Sequence, residues 1–347
     1  MSSKHRIALI GLGMAVTPHT RSLFDLRDRV EVAHAFSRSR ERRDAFAERF
    51  DFPLADDLER IATDPSVEAV MILTPPNTHL ELVRRFAAAG KHILLEKPLE
   101  TTTGRAEELV GAAEAAGVRL GVVFQHRFRV ASEHLRELIE DGGLGELAAV
   151  NVQCPWWRPQ SYYDEPGRGT LERDGGGVLI TQAIHTLDLM LSLTGPVAEV
   201  AAICGTSGLH RMECEDFAGA GLRIAHGALG ALMATTAEYP GRPEQIELIG
   251  TRGTALLAAG VVDVHYLDGR EERVGEEQST GGGTDPMAFP HDAHRGVLAD
   301  FLDAIEQGRP PRASGREALG VHHLIDALLR SSAERRTVAV SMPPQPL

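Results

Sequence analysis

Cysteine and long apolar runs are scarce in this sequence of 347 residues, and its 36 basic residues are outnumbered by 49 acidic ones. Its three cysteines, Cys154, Cys204 and Cys214, are too few and too irregularly spaced for a disulfide framework or a zinc site. The formal net charge of −13 argues against nucleic acid or an anionic membrane surface, because both need a basic partner. No apolar run approaches a membrane span, and residues 1–6 show no signal region. We therefore expect a cytoplasmic protein whose partner is a small molecule.

The chain is long enough for about two domains, each with a sizeable core. Residues 6–124 alternate apolar strands with amphipathic helices, which indicates a parallel sheet covered on both faces. From Val197 onward, strands separated by glycine-containing turns indicate an antiparallel sheet. We predict an α/β protein with a doubly wound parallel domain over residues 1–125. The second domain, over residues 126–347, is predicted to be α+β with a large, open, mainly antiparallel sheet.

A glycine turn, Gly11-Leu12-Gly13, follows directly on the first predicted strand. Gly11 permits the tight turn, and Gly13 lets a pyrophosphate approach the backbone, as in dinucleotide-binding Rossmann domains. The third position of that fingerprint is Val16, and Thr17-Pro18 has the residue types of a helix start, so we expect a wider turn and a later helix. The alternative is a simple strand–helix turn.

Ser37 and Arg38 stand at the end of the second predicted strand, where NAD sites place an acidic residue that bonds the ribose. Hydroxyl and guanidinium groups suit a 2′-phosphate instead. The sequence therefore predicts NADP as the preferred cofactor and NAD as the second choice. The alternative is a solvated, basic helix start.

Glu96-Lys97-Pro98 follows a short buried strand, His92–Leu95. Lys97 is thereby predicted to lie at the sheet edge where open α/β sheets bind ligands. Pro98 starts a tight turn, and a cis Lys97–Pro98 bond would fix the direction of the lysine. The alternative is a solvated lysine in a loop.

The second domain contains an aromatic loop and a glycine-led helix. The loop holds Trp156, Trp157, Tyr162 and Tyr163, and it indicates either a binding wall or a domain seam. Three glycines at 175–177 then precede a helix predicted over 178–193, and they would let a backbone or a ligand come close. Thr181, His185 and Asp188 would share one face of that helix; a hydrogen-bonded core histidine is the alternative.

Two further clusters are given structural interpretations. His291 and His294 flank Asp292 in a set that could bind metal, but no further ligand is evident, so we interpret them as a helix start and expect no metal. The acidic stretch 213–216 is interpreted as a solvated turn. Residues 279–290 are predicted to form a mobile loop, and the tail from Met342 is predicted to be disordered.

Together these motifs resemble the Gfo/Idh/MocA oxidoreductases, the group of glucose–fructose oxidoreductase and inositol dehydrogenase. The resemblance rests on the glycine turn, on residues 74–79 (TPPNTH) and 96–99 (EKPL), and on the three glycines running to His185 and Asp188. It covers nearly the whole chain. It implies an NAD(P)-binding Rossmann domain, a second domain whose sheet packs against other subunits in a homodimer or homotetramer, and reversible oxidation of a secondary alcohol on a sugar, nucleotide sugar or cyclic polyol.

The resemblance also assigns roles to residues. Lys97 matches the lysine that bonds the reacting oxygen, and His185 matches the active-site histidine. The family often has an aspartate at the position of Thr181, so a lysine–aspartate–histidine proton relay is in doubt. The expected cofactor contacts are Gly11, Gly13, Met14, Ser37, Arg38, Thr74, Pro75, Asn77, His79, Glu96 and Lys97. The expected substrate contacts are Lys97, Arg127, Tyr162, Tyr163, Arg168, Thr181 and His185.

Two other functions remain open from the sequence. One is a dehydrogenase of aromatic dihydrodiols or hydroxy-acids, which the arginines and the aromatic loop would also fit. The other is a dinucleotide sensor without catalytic activity. The presence of both Lys97 and His185 favours an enzyme, since a sensor has no need of a pair that handles protons.

Overall fold

The computed structural model describes residues 4–278 and 290–341, and within it the chain forms two compact units. The first unit comprises residues 1–125 and 291–318, and the second comprises 126–290 and 319–347. Residues 291–318 thus belong to the first unit, which the predicted boundary did not foresee. The loop predicted over 279–290, apart from Pro290, and the tail from Met342 lie outside the described residues.

The first unit is built on alternating strands and helices, as predicted. Its strands are β1 (His5–Ile10), β2 (Val30–Phe36), β3 (Leu54–Ala55), β4 (Ala69–Ile72), β5 (His92–Leu95) and β6 (Leu120–Val122). Its helices up to residue 125 are α1 (Val16–Asp25), α2 (Arg40–Ala47), α3 (Leu58–Thr63), α4 (His79–Ala88) and α5 (Thr103–Ala115). A 3₁₀ turn over Pro76–Thr78 precedes α4.

These six strands form one parallel sheet in the order β3-β2-β1-β4-β5-β6. This is the doubly wound order of dinucleotide-binding domains, with its switch point between β1 and β4. All four residues of β4 are at most 1% exposed, because helices cover both faces of a parallel sheet. The carboxyl ends of β1, β2, β4 and β5 therefore converge on one edge, which is where the predicted cofactor residues lie.

The second unit contains a larger sheet and several helices. Its helices are α6 (Val130–Glu140), α7 (Gln160–Tyr163), α8 (Val178–Thr181) and α9 (Ile184–Thr194). Its strands before the gap are β7 (Leu147–Pro155), β8 (Val197–Gly205), β9 (Phe217–Ile224), β10 (Leu229–Thr235), β11 (Gln245–Gly250), β12 (Gly253–Ala258), β13 (Val261–Tyr266) and β14 (Glu271–Gly275). The last elements of the chain are α10 (Asp292–Gln307), α11 (Gly315–Glu334) and β15 (Val338–Ala339).

The large sheet has the order β14-β13-β12-β11-β7-β10-β9-β8-β15. It is antiparallel, as predicted, except that β7 and β10 pair in parallel. The first strand of the unit, β7, therefore lies at the centre of the sheet. Its neighbours β10 and β11 come much later in the sequence.

One face of this sheet exposes apolar side chains on three adjacent strands. Ile203, Phe217 and Leu229 are 76%, 41% and 54% exposed. Ile203 pairs with Gly219 and Leu229 with Arg223, and both partners lie an even number of residues from Phe217. Because side chains alternate between faces along a strand, the three point to the same side.

Among the described residues, no helix combines the length and hydropathy of a membrane span.

Candidate active site

The glycine turn lies between β1 and α1 and leaves backbone accessible. The φ of Gly11 is +107°, and a Cβ there would stand 2.8 Å from the carbonyl oxygen of Leu73, so only glycine fits. A Cβ on Gly13 would meet nothing within 4 Å, and Met14 is 58% exposed. This geometry suits the approach of a pyrophosphate. The later helix start was a wrong prediction, because α1 begins at Val16 and Pro18 is tolerated in its first turn.

Ser37 and Arg38 lie at the carboxyl end of β2. Ser37 is buried and Arg38 is exposed. Arg43 folds back to donate to the carbonyl of Ser37 at 2.6 Å, and the side chain of Ser39 caps α2 by accepting from the N–H of Arg42 at 3.2 Å. The cap and the Arg43 bond fix the backbone here and leave the exposed Arg38 at the ligand-binding edge.

The loop after β4 carries four of the predicted cofactor residues. Thr74 is half-buried, Pro75 and Asn77 are exposed, and the hydroxyls of Thr74 and Thr78 are 2.7 Å apart. His79 is fully buried: Nε2 lies 2.8 Å from the carbonyl oxygen of Thr74, and Nδ1 lies 3.0 Å from that of Pro98. With both ring nitrogens facing backbone carbonyls, the side chain of His79 ties this loop to the Lys97–Pro98 turn.

Glu96 and Lys97 follow β5 directly, at the same edge of the sheet. Both are half-buried, and the Lys97–Pro98 peptide is cis, the isomer that the sequence left open. The backbone N–H of Lys97 donates to Oε2 of Glu96 at 3.0 Å, while the N–H of Glu96 donates to the carbonyl of Ile72 at 2.9 Å. The backbone on which the lysine side chain stands is therefore held on both sides of the Glu96–Lys97 peptide.

Sequence reasoning missed His19 beside Glu96, and it interpreted the nearby His294 only as part of a helix start. His19 of α1 lies with Nε2 2.8 Å from Oε1 of Glu96, and His294 of α10 packs edge-on against His19 with ring centroids 5.2 Å apart. Burial raises the pKa of Glu96. The hydrogen bond from His19 and the positive charges of His19, Lys97 and His294 outweigh this effect, so the pKa of Glu96 is lowered overall. The three side chains each offer a metal-ligand type of atom within 4.8 Å of the others. His291, the other histidine of the predicted pair, instead contacts Asp25 at 2.9 Å.

In the second unit, the three glycines at 175–177 allow the backbone of Glu215 to come close to the start of α8. The sequence had left open whether a backbone or a ligand would approach here. The N–H of Val178 donates to the carbonyl of Glu215 at 2.8 Å, and any Cβ on Gly177 would collide with that carbonyl. The Glu215 carboxylate accepts from the N–H groups of Gly177 and Leu179 at 3.1 and 3.0 Å. Burial raises the pKa of Glu215, against the hydrogen bonds that lower it. Glu215 thus anchors the start of α8.

The solvated turn predicted at 213–216 is therefore wrong for most of its length. Cys214, Glu215 and Asp216 are buried, and Asp216 has no exposed surface. Its Oδ2 accepts from Nδ1 of His210 at 2.7 Å and from the hydroxyl of Ser207 at 2.6 Å. Buried carboxylates are tolerated here because side-chain and backbone donors satisfy them.

The helix predicted over 178–193 is broken. Helix α8 ends at Thr181 and α9 begins at Ile184, so Thr181 does not share a continuous helix face with His185 and Asp188. The hydroxyl of Thr181 donates to the carbonyl of Gly177 at 2.6 Å and also contacts Oε1 of Gln182. These contacts belong to the end of a single helical turn.

His185 lies at the start of α9 and is 7% exposed. Its ring stacks on that of His126, with centroids 4.9 Å apart and planes 25° from parallel. Nε2 of His126 faces Nη2 of Arg129 at 2.8 Å and must accept, because a guanidinium only donates. Arg129 in turn donates to Glu244 at 2.7 Å. His185 therefore stands against a network of fixed polar groups.

Asp188 is paired with Arg127, a partner that the sequence did not indicate. Arg127 donates from Nε to Oδ2 at 2.7 Å and from Nη2 to Oδ1 at 2.6 Å. The aspartate is 1% exposed and the arginine side chain 11%. This is a buried, bidentate ion pair that joins residue 127 to α9 one turn after His185.

The aromatic loop gathers the remaining predicted substrate residues. Arg168 lies over the ring of Tyr162 at 4.7 Å and donates to its hydroxyl at 3.1 Å. The guanidinium of Arg158 lies 5.7 Å from the same ring. Tyr163 is instead buried, with its hydroxyl 2.6 Å from that of Thr236, and burial raises its pKa. Tyr162 is thus flanked by two cations, while the Tyr163 hydroxyl is engaged inside the unit.

The geometry of the first unit defines a class of protein. A glycine turn with open backbone, a 3-2-1-4-5-6 parallel sheet and polar residues at the carboxyl ends of its strands make a dinucleotide-binding Rossmann domain. Consistent with this, residues 5–124 match the profile described as "Oxidoreductase family, NAD-binding Rossmann fold". Residues 132–256 match the profile described as "GFO/IDH/MocA C-terminal domain". The chain belongs to the Gfo/Idh/MocA oxidoreductase family.

Individual relatives agree with this assignment. The chain is 30% identical to 1,5-anhydro-D-fructose reductase of Ensifer adhaerens, over 83% of this chain and 85% of that protein. It is 26% identical to inositol 2-dehydrogenase of Rhizobium meliloti (strain 1021), over 97% and 99%. Among solved structures, the WlbA dehydrogenase of Bordetella pertussis in complex with NADH and UDP-GlcNAcA superposes with a TM-score of 0.85 at 28% identity, over 99% of both chains. The chain is thus an NAD(P)-dependent dehydrogenase acting on CH–OH groups, with NAD or NADP as cofactor.

Proposed function

We propose that the chain interconverts a secondary alcohol and a ketone on a sugar, nucleotide sugar or cyclic polyol. The names of its relatives support carbohydrate and cyclitol substrates, and the WlbA complex supports a nucleotide sugar. The observation that carries the proposal is Lys97, a half-buried lysine at the carboxyl end of β5 beside Glu96. An ammonium group held at that edge suits the oxygen of a reacting alcohol.

Lys97 and His185 are proposed to divide the polar part of the reaction. A nicotinamide dinucleotide bound at the glycine turn and the carboxyl ends of the strands would supply the acceptor for a hydride from the substrate carbon. Lys97 stabilises the developing alkoxide by charge and hydrogen bonding. His185 takes the hydroxyl proton, as an imidazole can do near neutral pH. In the reverse direction, the same histidine returns the proton to the ketone oxygen.

A hydroxy-acid or another acidic substrate is the second candidate. The observation that favours it is the pair of guanidinium groups, Arg158 and Arg168, against the ring of Tyr162. Guanidinium groups bind carboxylates and phosphates in bidentate geometry. A sugar acid or a nucleotide sugar would satisfy both candidates, because each carries an anionic group next to its hydroxyls.

We infer that NADP is the preferred cofactor, because exposed Arg38 and buried Ser37 stand where an NAD-specific site has a carboxylate. We also infer a homodimer or homotetramer through the large sheet. The apolar side chains that this sheet exposes on β8, β9 and β10 support such an interface. A cytoplasmic setting is supported by the three cysteines, all of which are free.

The experiment is a thermal-shift screen of sugars, sugar acids, nucleotide sugars and cyclic polyols with NADPH or NADH, followed by turnover assays on the hits. Lys97→Ala and His185→Ala should each lower kcat by about two to four orders of magnitude and leave cofactor affinity nearly unchanged. Lys4→Ala, an exposed lysine of the same unit, is the matched control. Near-normal turnover in either site variant would remove that residue from the mechanism. Binding of cofactor without turnover of any hit would favour a sensor.

A further inference from the structure

The carboxylate of Glu96 bridges a buried histidine and the backbone of Lys97. Oε1 lies 2.8 Å from Nε2 of His19, and Oε2 accepts the N–H of Lys97 at 3.0 Å. The side chains of His19 and Glu96 are 2% and 14% exposed. An ionised carboxylate only accepts hydrogen bonds, so Nε2 of His19 carries a proton and donates it. Because the bond is charge-assisted and shielded from water, it is stronger than an ordinary surface contact.

The ring of His19 is itself held in place. His294 of α10 meets it edge-on, at 84° between the ring planes. His19 belongs to α1, the helix that begins directly after the glycine turn, so it moves with the segment proposed to receive the cofactor phosphates. A continuous set of contacts thus runs from the glycine turn, through α1 and His19, to Glu96.

A second histidine fixes the other side of the same turn. Nδ1 of His79 lies 3.0 and 3.2 Å from the carbonyl oxygens of Pro98 and Leu99. His19 therefore contacts the residue that precedes Lys97, and His79 contacts the two residues that follow it. Of the two, only His19 works through a side chain, Glu96, whose charge also lies next to the lysine.

We propose that His19 is a positioning residue for Lys97 and acts through Glu96. The inference rests on the proposed catalytic role of Lys97. Without the His19 donor, the Glu96 carboxylate is free to rotate, and the backbone N–H of Lys97 loses a fixed acceptor. The ammonium group would then spread over several positions instead of one. A misplacement of about 1 Å can lower a rate by about a hundredfold.

The composition of the chain makes Lys97 easy to observe. The protein has three lysines, Lys4, Lys91 and Lys97. Lys4 is exposed, and Lys91 is buried with Nζ bonded to the carbonyls of Asp64 and Val67 at 2.7 Å each. Amine-selective labelling followed by mass spectrometry therefore reads the reactivity of Lys97 against one exposed and one buried internal standard.

The test compares His19→Phe, which keeps an aromatic ring but removes the donor, with His19→Gln, which keeps an N–H donor at similar reach. The matched control is His34→Phe. Nε2 of His34 lies 2.9 Å from Asp64 in the same unit, so this variant breaks the same kind of bond at another place. For each protein we would measure Lys97 labelling, the dissociation constant of NADPH, and kcat and KM on a substrate from the screen.

His19→Phe should lower kcat by up to about a hundredfold with little change in KM or NADPH affinity, and should change the labelling rate of Lys97 relative to Lys4. His19→Gln should recover most of both, and His34→Phe should change neither. Normal kcat and labelling in His19→Phe would overturn the proposal, and so would an equal effect of His34→Phe. A stoichiometric divalent metal in the purified protein that His19→Phe lacks would also overturn it, by making the cluster a metal site. If Lys97→Ala keeps its turnover, the proposed catalytic role of Lys97 is wrong. The labelling result then still shows whether His19 positions the Lys97 side chain.

Discussion

The buried ion pair between Arg127 and Asp188 should be one of the most sensitive points of the second unit. The change that isolates it is Asp188→Asn, which keeps the shape of the side chain and removes its charge. Asparagine can still accept one of the two N–H groups that Arg127 donates at 2.7 and 2.6 Å. The guanidinium, whose side chain is 11% exposed, loses the charge of this carboxylate.

The expected cost follows from burial. Removing one partner of a buried pair costs about 3–5 kcal/mol, because the remaining charge stays away from water. We expect the lower end, on the order of 3 kcal/mol, since one hydrogen bond survives in the asparagine variant. The structure offers a matched comparison: Nη1 of Arg273 lies 2.7 Å from both oxygens of Asp263, with side chains 55% and 34% exposed. Asp263→Asn should cost only about 0–1 kcal/mol.

The assay can read the second unit alone. The chain has two tryptophans, Trp156 and Trp157, and both belong to this unit. Tryptophan fluorescence during urea denaturation therefore reports its unfolding, even when the whole chain does not unfold in one step. The difference in free energy is the shift of the midpoint multiplied by the slope m. Equal shifts for Asp188→Asn and Asp263→Asn would refute the reasoning, because burial would then have no influence on the strength of an Arg–Asp pair.

Three further predictions address the cofactor, the assembly and the pH response. NADPH should bind about tenfold to a hundredfold tighter than NADH, the equivalent of one charge-assisted hydrogen bond. Arg38→Ala should remove this preference and Ser37→Asp should reverse it. Fluorescence titration at low and high salt would measure both dissociation constants, and equal affinities in the unmodified protein would disprove a phosphate site at Arg38. Light scattering at micromolar concentration should show an oligomer that Ile203→Glu disrupts and Leu267→Glu, at an equally exposed turn, does not; a monomeric unmodified protein would contradict the sheet interface. Because burial raises the pKa of Glu215, the folded second unit binds more protons than the unfolded chain between about pH 4.3 and the raised value, so its stability should fall as pH rises through that window. Glu215→Gln should flatten this part of the profile in denaturation curves, whereas an unchanged slope would show that Glu215 ionises in the folded state without cost.

The first unit could be predicted from sequence because its signals are local. Apolar runs mark β1, β4 and β5, and Gly90 and Gly117 follow the ends of α4 and α5, so element types follow from short stretches. The strand β3 was missed because it has only two residues, too few to show a pattern. The Glu96-Lys97-Pro98 turn was found because polar residues directly after a buried strand stand out.

Features that depend on distant partners could not be predicted. Nothing near Glu215 in the sequence shows that Gly177 will approach it, so a buried anchor looked like a solvated turn. His19 is a single histidine within a helix, and its partner Glu96 follows 77 residues later. The break between α8 and α9 escaped notice because Gln182 and Ala183, the two residues between the helices, are both good helix formers. The errors at Glu215 and His19 concern tertiary contacts, which a single sequence does not reveal.

The return of residues 291–318 to the first unit has a consequence for how the protein is made. Arg29 pairs with Asp303, His5 with Glu306, and the N–H of Val122 with the carbonyl of Ala313. When residues 1–125 have been synthesised, α10 has therefore not yet been made. The large sheet of the second unit likewise stays incomplete until β15 is made. Neither unit can finish folding until the carboxyl-terminal sixth of the chain has emerged, although domains generally fold in the order of their synthesis. An expression fragment cut at residue 125 would thus expose the surface that α10 covers, and dissecting this protein requires a cut that keeps residues 291–318 with the first unit.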